Sequence, residues 1–253
     1  MPIGAEQGIL VATLALAALV QGVAGFGFGL VAMAVLPAFL PLAEAVPVVA
    51  LLGLGTNVTV IVANRRGIDR SIVLPLVAGV CVGTPFGVLL LSGADPRLLH
   101  ALLGLVLVGY ALQALVLRDA RDAAPRGEGA LAALAAACAG TLGGVLGGAF
   151  TTSGPPIVLY AAWRRLPPAT ARANMQCAFL VSSLCQIALF ALAGSLTRDI
   201  GAAVLRGVPA VLVGLVAGVV VGRRVDARTF RRVVLVLLLV LGVRFLVGAW
   251  RHA

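Results

Sequence analysis

Charged residues are so sparse along this chain that the apolar stretches between them delimit the predicted elements. Residues 7–43, 71–94, 129–163 and 173–197 carry no charge over 37, 24, 35 and 25 positions respectively. Shorter runs at 45–64, 98–117, 207–222 and 233–243 complete the pattern, the last continuing past Arg244 to Trp250. A bilayer core of roughly 30 Å takes about 20 helical residues. Six of these runs therefore predict single membrane helices.

The two longest runs do not fit one crossing. A helix over 7–43 would reach about 55 Å, yet two crossings with a turn would need slightly more residues than the run contains. Each run is also interrupted by glycine. The first holds Gly22-Val-Ala-Gly25-Phe26-Gly27-Phe-Gly29, and the second holds Gly143-Gly144-Val-Leu-Gly147-Gly148, followed by Thr151-Thr152-Ser153-Gly154-Pro155-Pro156. Glycine costs about 1 kcal/mol and proline about 3 kcal/mol in a helix interior. The pattern predicts a bent pair of short helices in each run, meeting at an unwound segment near mid-membrane and returning to the starting side.

Arginine placement supports that shape. If both long runs return, the loops holding Arg65, Arg66 and Arg70; Arg118, Arg121 and Arg126; Arg164, Arg165 and Arg172; and Arg223, Arg224, Arg228, Arg231 and Arg232 all lie on one side. Only Arg97, Arg198, Arg206 and Arg251 fall on the other, whereas single crossings would split the arginines about evenly. Positive charge accumulates in cytoplasmic loops, so the first arrangement is expected, with both termini periplasmic. The halves would then be inverted. A faint internal repeat agrees: Gly83 and Gly87 followed by Asp95-Pro-Arg97 match Gly214 and Gly218 followed by Asp226-Ala-Arg228.

The expected fold is thus an all-α polytopic membrane protein. It has two inverted repeats, each a broken or re-entrant helix pair followed by three transmembrane helices. The N-terminal repeat covers 1–117, a cytoplasmic linker 118–128 and the C-terminal repeat 129–253. Paired broken helices in inverted repeats are the architecture of secondary transporters, with rocking of the halves as the expected motion.

Composition narrows the class further. The chain is 61% hydrophobic and 11% charged, with a mean hydropathy of +1.12, against roughly a quarter charged in soluble domains. A soluble enzyme, a disordered chain and a disulfide-stapled secreted domain are excluded. The net charge is +10, from 19 basic residues, all of them arginine, against 9 acidic ones. Because these arginines cluster between apolar runs, they orient the chain in a bilayer and give no support to nucleic-acid binding. Cys81, Cys138, Cys177 and Cys185 lie in apolar runs without metal-ligand spacing and read as small buried side chains. The N-terminal run exceeds a signal peptide in length and lacks its basic start, so it reads as a retained span.

Candidate chemistry concentrates at the two breaks. At Gly25, Phe26, Gly27 and Gly29 there is no strand–loop–helix context for a nucleotide loop. The glycines either let helices pack closely or free backbone N–H groups for an anion. Around Gly147 and Gly148, the hydroxyls of Thr151, Thr152 and Ser153 directly precede a Pro-Pro helix start, where N–H groups lack intrahelical partners. By contrast, Gly83, Gly87, Gly214, Gly218 and Gly222 have packing spacing. Among other polar residues inside spans (Gln21, Thr56, Thr59, Asn174, Gln176, Ser182, Ser183 and Gln186), Asn57 stands out near the middle of its helix. Arg244 either reaches outward or lends positive potential to an anion path. No carboxylate lies deep in a span, since Glu44 and Asp95 fall at helix ends. No catalytic constellation, metal cluster or cofactor motif is visible, so the chain reads as a non-enzyme that requires neither metal nor cofactor.

Gly22-x-x-Gly25-Phe26-Gly27-x-Gly29 before a proline-ended apolar helix, the glycine-rich counterpart at 143–148, the segments Gly83-Thr-Pro-Phe-Gly87 and Asp95-Pro-Arg97, and the short arginine loops together resemble the TauE/SafE sulfite exporter family. The resemblance spans nearly the whole chain. It implies a bacterial inner-membrane transporter of sulfite, sulfoacetate or related organosulfonates. The sequence departs from the family pattern at Thr151-Thr152-Ser153-Gly154-Pro155-Pro156, where a run of glycines ending in one proline is more usual. The expected partners are a small anionic substrate, the lipid bilayer and a second copy in a homodimer. An anion channel and a non-transporting membrane scaffold remain the alternative readings.

Overall fold

The structure is a computed structural model that describes residues 3–116, 129–222, 224 and 227–251. The linker expected over 118–128 lies outside the described residues. Ten helices follow in order: α1 (Ile3–Ala24), α2 (Phe28–Val35), α3 (Leu42–Asn64), α4 (Arg70–Gly93), α5 (Pro96–Val116), α6 (Ala130–Phe150), α7 (Gly154–Trp163), α8 (Pro168–Leu192), α9 (Arg198–Val221) and α10 (Ala227–Arg251). A single 3₁₀ turn, Leu36–Ala38, extends α2. Among the described residues, eight helices are long and apolar enough to cross a membrane.

Both predicted breaks are present, but their arms are unequal. A bent pair of short helices was expected in each run. Instead, a membrane-length first arm, α1 or α6, is followed by a short one, α2 of 8 residues or α7 of 10. Gly22, Gly143, Gly144, Gly147 and Gly148 do not interrupt their helices. Helical glycine costs only about 1 kcal/mol, and close packing offsets that cost. The chain turns where backbone angles demand it: Gly25 and Gly27 have φ of 81° and 108°, a region that side chains avoid.

Sequence explains the other ends. Asp69 caps α4, accepting from Ser71 N–H at 2.9 Å, and Thr197 caps α9. Proline opens α5 and α8, where its missing N–H costs nothing.

Glycine decides which helices adjoin. On α4, Gly79, Gly83 and Gly87 lie against α6, where Gly140, Gly144 and Gly148 face back. A methyl group on any of the six would overlap a backbone carbonyl of the other helix. On α9, Gly214 and Gly218 press likewise on Ala15 and Leu19 of α1, and Gly22 meets Gly218. Gly104 of α5 meets Gly242 of α10. These are the small-residue contacts by which helices associate when lipid removes the hydrophobic drive between them. Further pairs are α3 with α8, α4 with α8 and α3 with α9.

Large apolar side chains cover the outside: Leu74, Phe86 and Leu89 on α4, Leu134 and Leu142 on α6, and Leu205, Val213 and Val216 on α9 are all more than half exposed. Such a surface would aggregate in water, whereas hydrocarbon solvates it. The same inversion corrects one expectation. Cys81 and Cys138 are exposed rather than buried, and Cys177 and Cys185 only partly covered, because an apolar thiol is as comfortable facing lipid as facing protein.

Candidate anion site

The two breaks meet. Gly29, in the first turn of α2, abuts Thr151 so closely that a methyl group there would overlap the Thr151 carbonyl oxygen. Beside this contact lies a cavity of about 40 Å³, several times the roughly 10–15 Å³ that one water needs. Its lining draws on both breaks, with Gly27 and Gly29 from the first and Thr151, Thr152, Ser153 and Gly154 from the second. Gly53 and Asn57 of α3 and Phe179, Ser182, Ser183 and Gln186 of α8 close it. These positions fall near the middle of their helices.

The first break is stitched by side-chain amides. Gln21 is 2% exposed and accepts from Phe28 N–H through Oε1 at 3.0 Å, tying the end of α1 to the start of α2. The Gly25 N–H donates to the Gln21 carbonyl at 2.7 Å. The Gly25 carbonyl accepts from Gln176 Nε2 at 2.6 Å. Gly27 precedes α2 in left-handed geometry, leaving the first-turn N–H groups of α2 without intrahelical acceptors.

The second break stores strain. Thr151 ends α6 at φ 53° and ψ 28°, left-handed values that cost a β-branched residue of order 1–3 kcal/mol. Its N–H donates to the Gly147 carbonyl at 2.7 Å, and its hydroxyl to the Val46 carbonyl of α3 at 3.4 Å. Gln186 Nε2 donates to the Gly147 and Gly148 carbonyls at 2.6 and 3.1 Å, receiving the last turn of α6. Ser153 and Ser182 hydroxyls lie 3.3 Å apart, and Thr84 of α4 lies 3.4 Å from Ser182.

Two short helices, α2 and α7, thus begin at one cavity, and each places its positive N-terminal dipole end there. No acidic or basic residue lines it. Among the described residues no cluster of three His, Cys, Asp or Glu stands close enough to hold a metal. A wider hollow of about 200 Å³ lies by the starts of α3 and α9, with Glu44, Asp199 and Arg206 in its wall.

Of the residues singled out in the sequence, Gly27, Gly29, Asn57, Thr151, Thr152 and Ser153 line the cavity. Gly25, Phe26, Gly147, Gly148 and Arg244 do not. Gly25 lies against the Arg172 side chain. Phe26 packs edge-on against Tyr110 with ring centroids 6.4 Å apart. Gly147 and Gly148 offer carbonyls to Gln186, and Gly148 also packs on α4. Arg244 is exposed on α10. Gln21, Ser182, Ser183 and Gln186 were visible as polar residues in spans, but nothing in the sequence separated them from Asn174. That residue only ties α8 to the turn before α4, through Asp69 N–H and the Gly67 carbonyl.

These features define a multi-pass helical membrane protein with a polar, uncharged cavity between two helix breaks. The family model described as Sulfite exporter TauE/SafE matches residues 10–245, and the chain belongs to that family. A relative from Cupriavidus necator, described as a probable sulfite/organosulfonate exporter TauE, is 28% identical over 238 residues, covering 91% of each chain. No solved structure matches this chain.

Proposed function

We propose that this protein carries a small sulfur-containing oxyanion outward across the bacterial inner membrane, binding it between the two breaks. The observation that carries this reading is the convergence of the α2 and α7 N-termini on a cavity lined by hydroxyls and free of carboxylates. Helix N-termini favour anions through the helix dipole and unpaired N–H groups; α2 offers both, while α7, opening Gly154-Pro155-Pro156, lacks two N–H groups and contributes its dipole and the adjoining hydroxyls. Family membership and the relative's description agree with the substrate class. The cavity's volume suits a compact anion such as sulfite better than sulfoacetate. An inside-negative potential drives a negative charge outward with about 2.3 kcal/mol per 100 mV, so export needs no coupling ion.

The halves are read as inverted repeats with both termini periplasmic. Helix neighbours support the repeat itself: exchanging α1–α5 for α6–α10 turns the α1–α9 pair into α6–α4 and the α3–α9 pair into α8–α4, and leaves α3–α8 and α5–α10 unchanged.

The test is sulfite efflux from proteoliposomes, with and without an imposed potential, comparing wild type with Thr152→Val. This substitution keeps the side-chain shape and removes one cavity hydroxyl. Saturable efflux that follows the potential and weakens about tenfold in the variant is expected. No flux of sulfite or sulfoacetate under any gradient would refute the reading.

A further inference from the structure

Two amides in the cavity wall leave one donor and one acceptor unsatisfied. Gln21 Oε1 is held by Phe28 N–H, which fixes the orientation of the amide and leaves Nε2 without a partner. Gln186 is fixed the opposite way: Nε2 serves two carbonyls of α6, and Oε1 has no partner. The two side chains are 2% and 1% exposed, and both line the cavity. An unpaired polar atom at such burial is costly; Gln176 Oε1 is also without a partner, but of the three glutamines only Gln21 and Gln186 line a cavity in which a ligand can complete them.

Resting on the exporter reading above, we infer that the site selects a singly charged oxyanion bearing its own hydrogen-bond donor: bisulfite rather than the sulfite dianion. Gln21 Nε2 donates to a charged oxygen of the ligand, as do the N–H groups of Gly29 and Leu30 in the first turn of α2, the Phe28 N–H being taken by Gln21 Oε1. Gln186 Oε1 accepts the ligand's hydroxyl hydrogen. A bare dianion would place electron pairs against that oxygen and gain nothing from it. Charge magnitude points the same way. The desolvation cost of a buried ion rises with the square of its charge, and an uncompensated buried charge is strongly unfavourable. This cavity offers dipoles and hydroxyls but no cation.

No titratable group lines the cavity to mimic the effect. On the packed elements, Arg172 lies against Gly25, Tyr110 against Phe26, Tyr160 sits on α7, and Cys185 precedes Gln186 on α8; none of them is in the wall.

The test uses the full-length protein in proteoliposomes. With pH equal on both sides and total sulfite fixed, flux is expected to fall as pH rises through the second ionisation of sulfite, by about tenfold per pH unit once the dianion predominates. At one pH, sulfamate (a monoanion carrying N–H donors) is expected to inhibit sulfite flux about tenfold or more strongly than methanesulfonate, which puts a methyl group in the same place. Gln186→Met removes the acceptor and should bring the two inhibitors close to parity. If that variant does not fold, the inhibitor pair and the pH profile of the wild type decide the matter. Sulfite flux that persists undiminished on the alkaline side, or equal inhibition by the two anions, overturns the selection of a donor-bearing monoanion and leaves the exporter standing. No sulfite flux at any pH overturns both.

Discussion

Gly29→Ala isolates the contact between the two breaks. The residue lies in the first turn of α2 with ordinary helical angles, so alanine is acceptable to its own backbone and improves helix propensity by about 1 kcal/mol. The obstacle is the Thr151 carbonyl oxygen, which the new methyl group would overlap. That oxygen belongs to backbone and cannot rotate away, and Thr151 is already in a strained conformation. Relief requires α2 to retreat from the second break by roughly 1 Å. Overpacking of this kind typically costs about 1–3 kcal/mol, and a displacement of about 1 Å in a preorganised site costs on the order of a hundredfold in rate. Gly53→Ala is the matched control. It adds the same methyl to the same cavity wall, but its neighbours, Phe28 Cδ1 at 3.8 Å and Ser183 Oγ at 4.0 Å, are in ordinary contact range. Sulfite flux in proteoliposomes and melting in detergent should both fall for Gly29→Ala, with Gly53→Ala retaining stability and most flux. Wild-type flux and melting in Gly29→Ala would refute the reasoning. So would equal losses in both variants, since the effect would then be lost volume rather than a displaced break.

Gly83→Ala should lower the detergent melting temperature, through about 1–3 kcal/mol of overpacking against the Thr141 carbonyl. Gly109→Ala, on α5 with nothing within 4 Å of the added carbon, should melt at or slightly above wild type. Arg244→Gln should leave sulfite flux and its response to potential at wild-type values, because this arginine is exposed on α10 and absent from the cavity wall.

How far the sequence revealed this arrangement depended on the signal each residue carried. Charge-free runs placed the spans, because lipid tolerates few alternatives to an apolar helix. Clustered glycines located both breaks, although Gly22 and Gly143–Gly148 share the composition of a break and continue as helix. What separates them from Gly25 and Gly27 is a backbone angle, which composition does not encode. Thr151, Thr152 and Ser153 stood out as three hydroxyls directly before two prolines, and all three line the cavity. Gln21 and Gln186 were not distinguished from Gln176 or Asn174. A buried amide looks the same in sequence whether it completes a backbone turn or faces a cavity, and here it does both. Arg244 was left with two readings, because a charge inside an apolar run allows either an outward reach or a role in the path. Its helix presents that position outward, where a long side chain reaches for the interface.

The glycine seams have a mechanical consequence. Where α4 meets α6 and α1 meets α9, main chain rests on main chain, with almost no side chain between. Pulling either seam apart would forfeit dense dispersion contacts with no flexible group to fill the gap. Yet each seam joins a helix of the first half to a helix of the second. Parting the two halves of the chain would therefore have to break both seams. The tightest couples in the fold, α4 clasped to α6 and α1 to α9, are thus drawn one helix from each half.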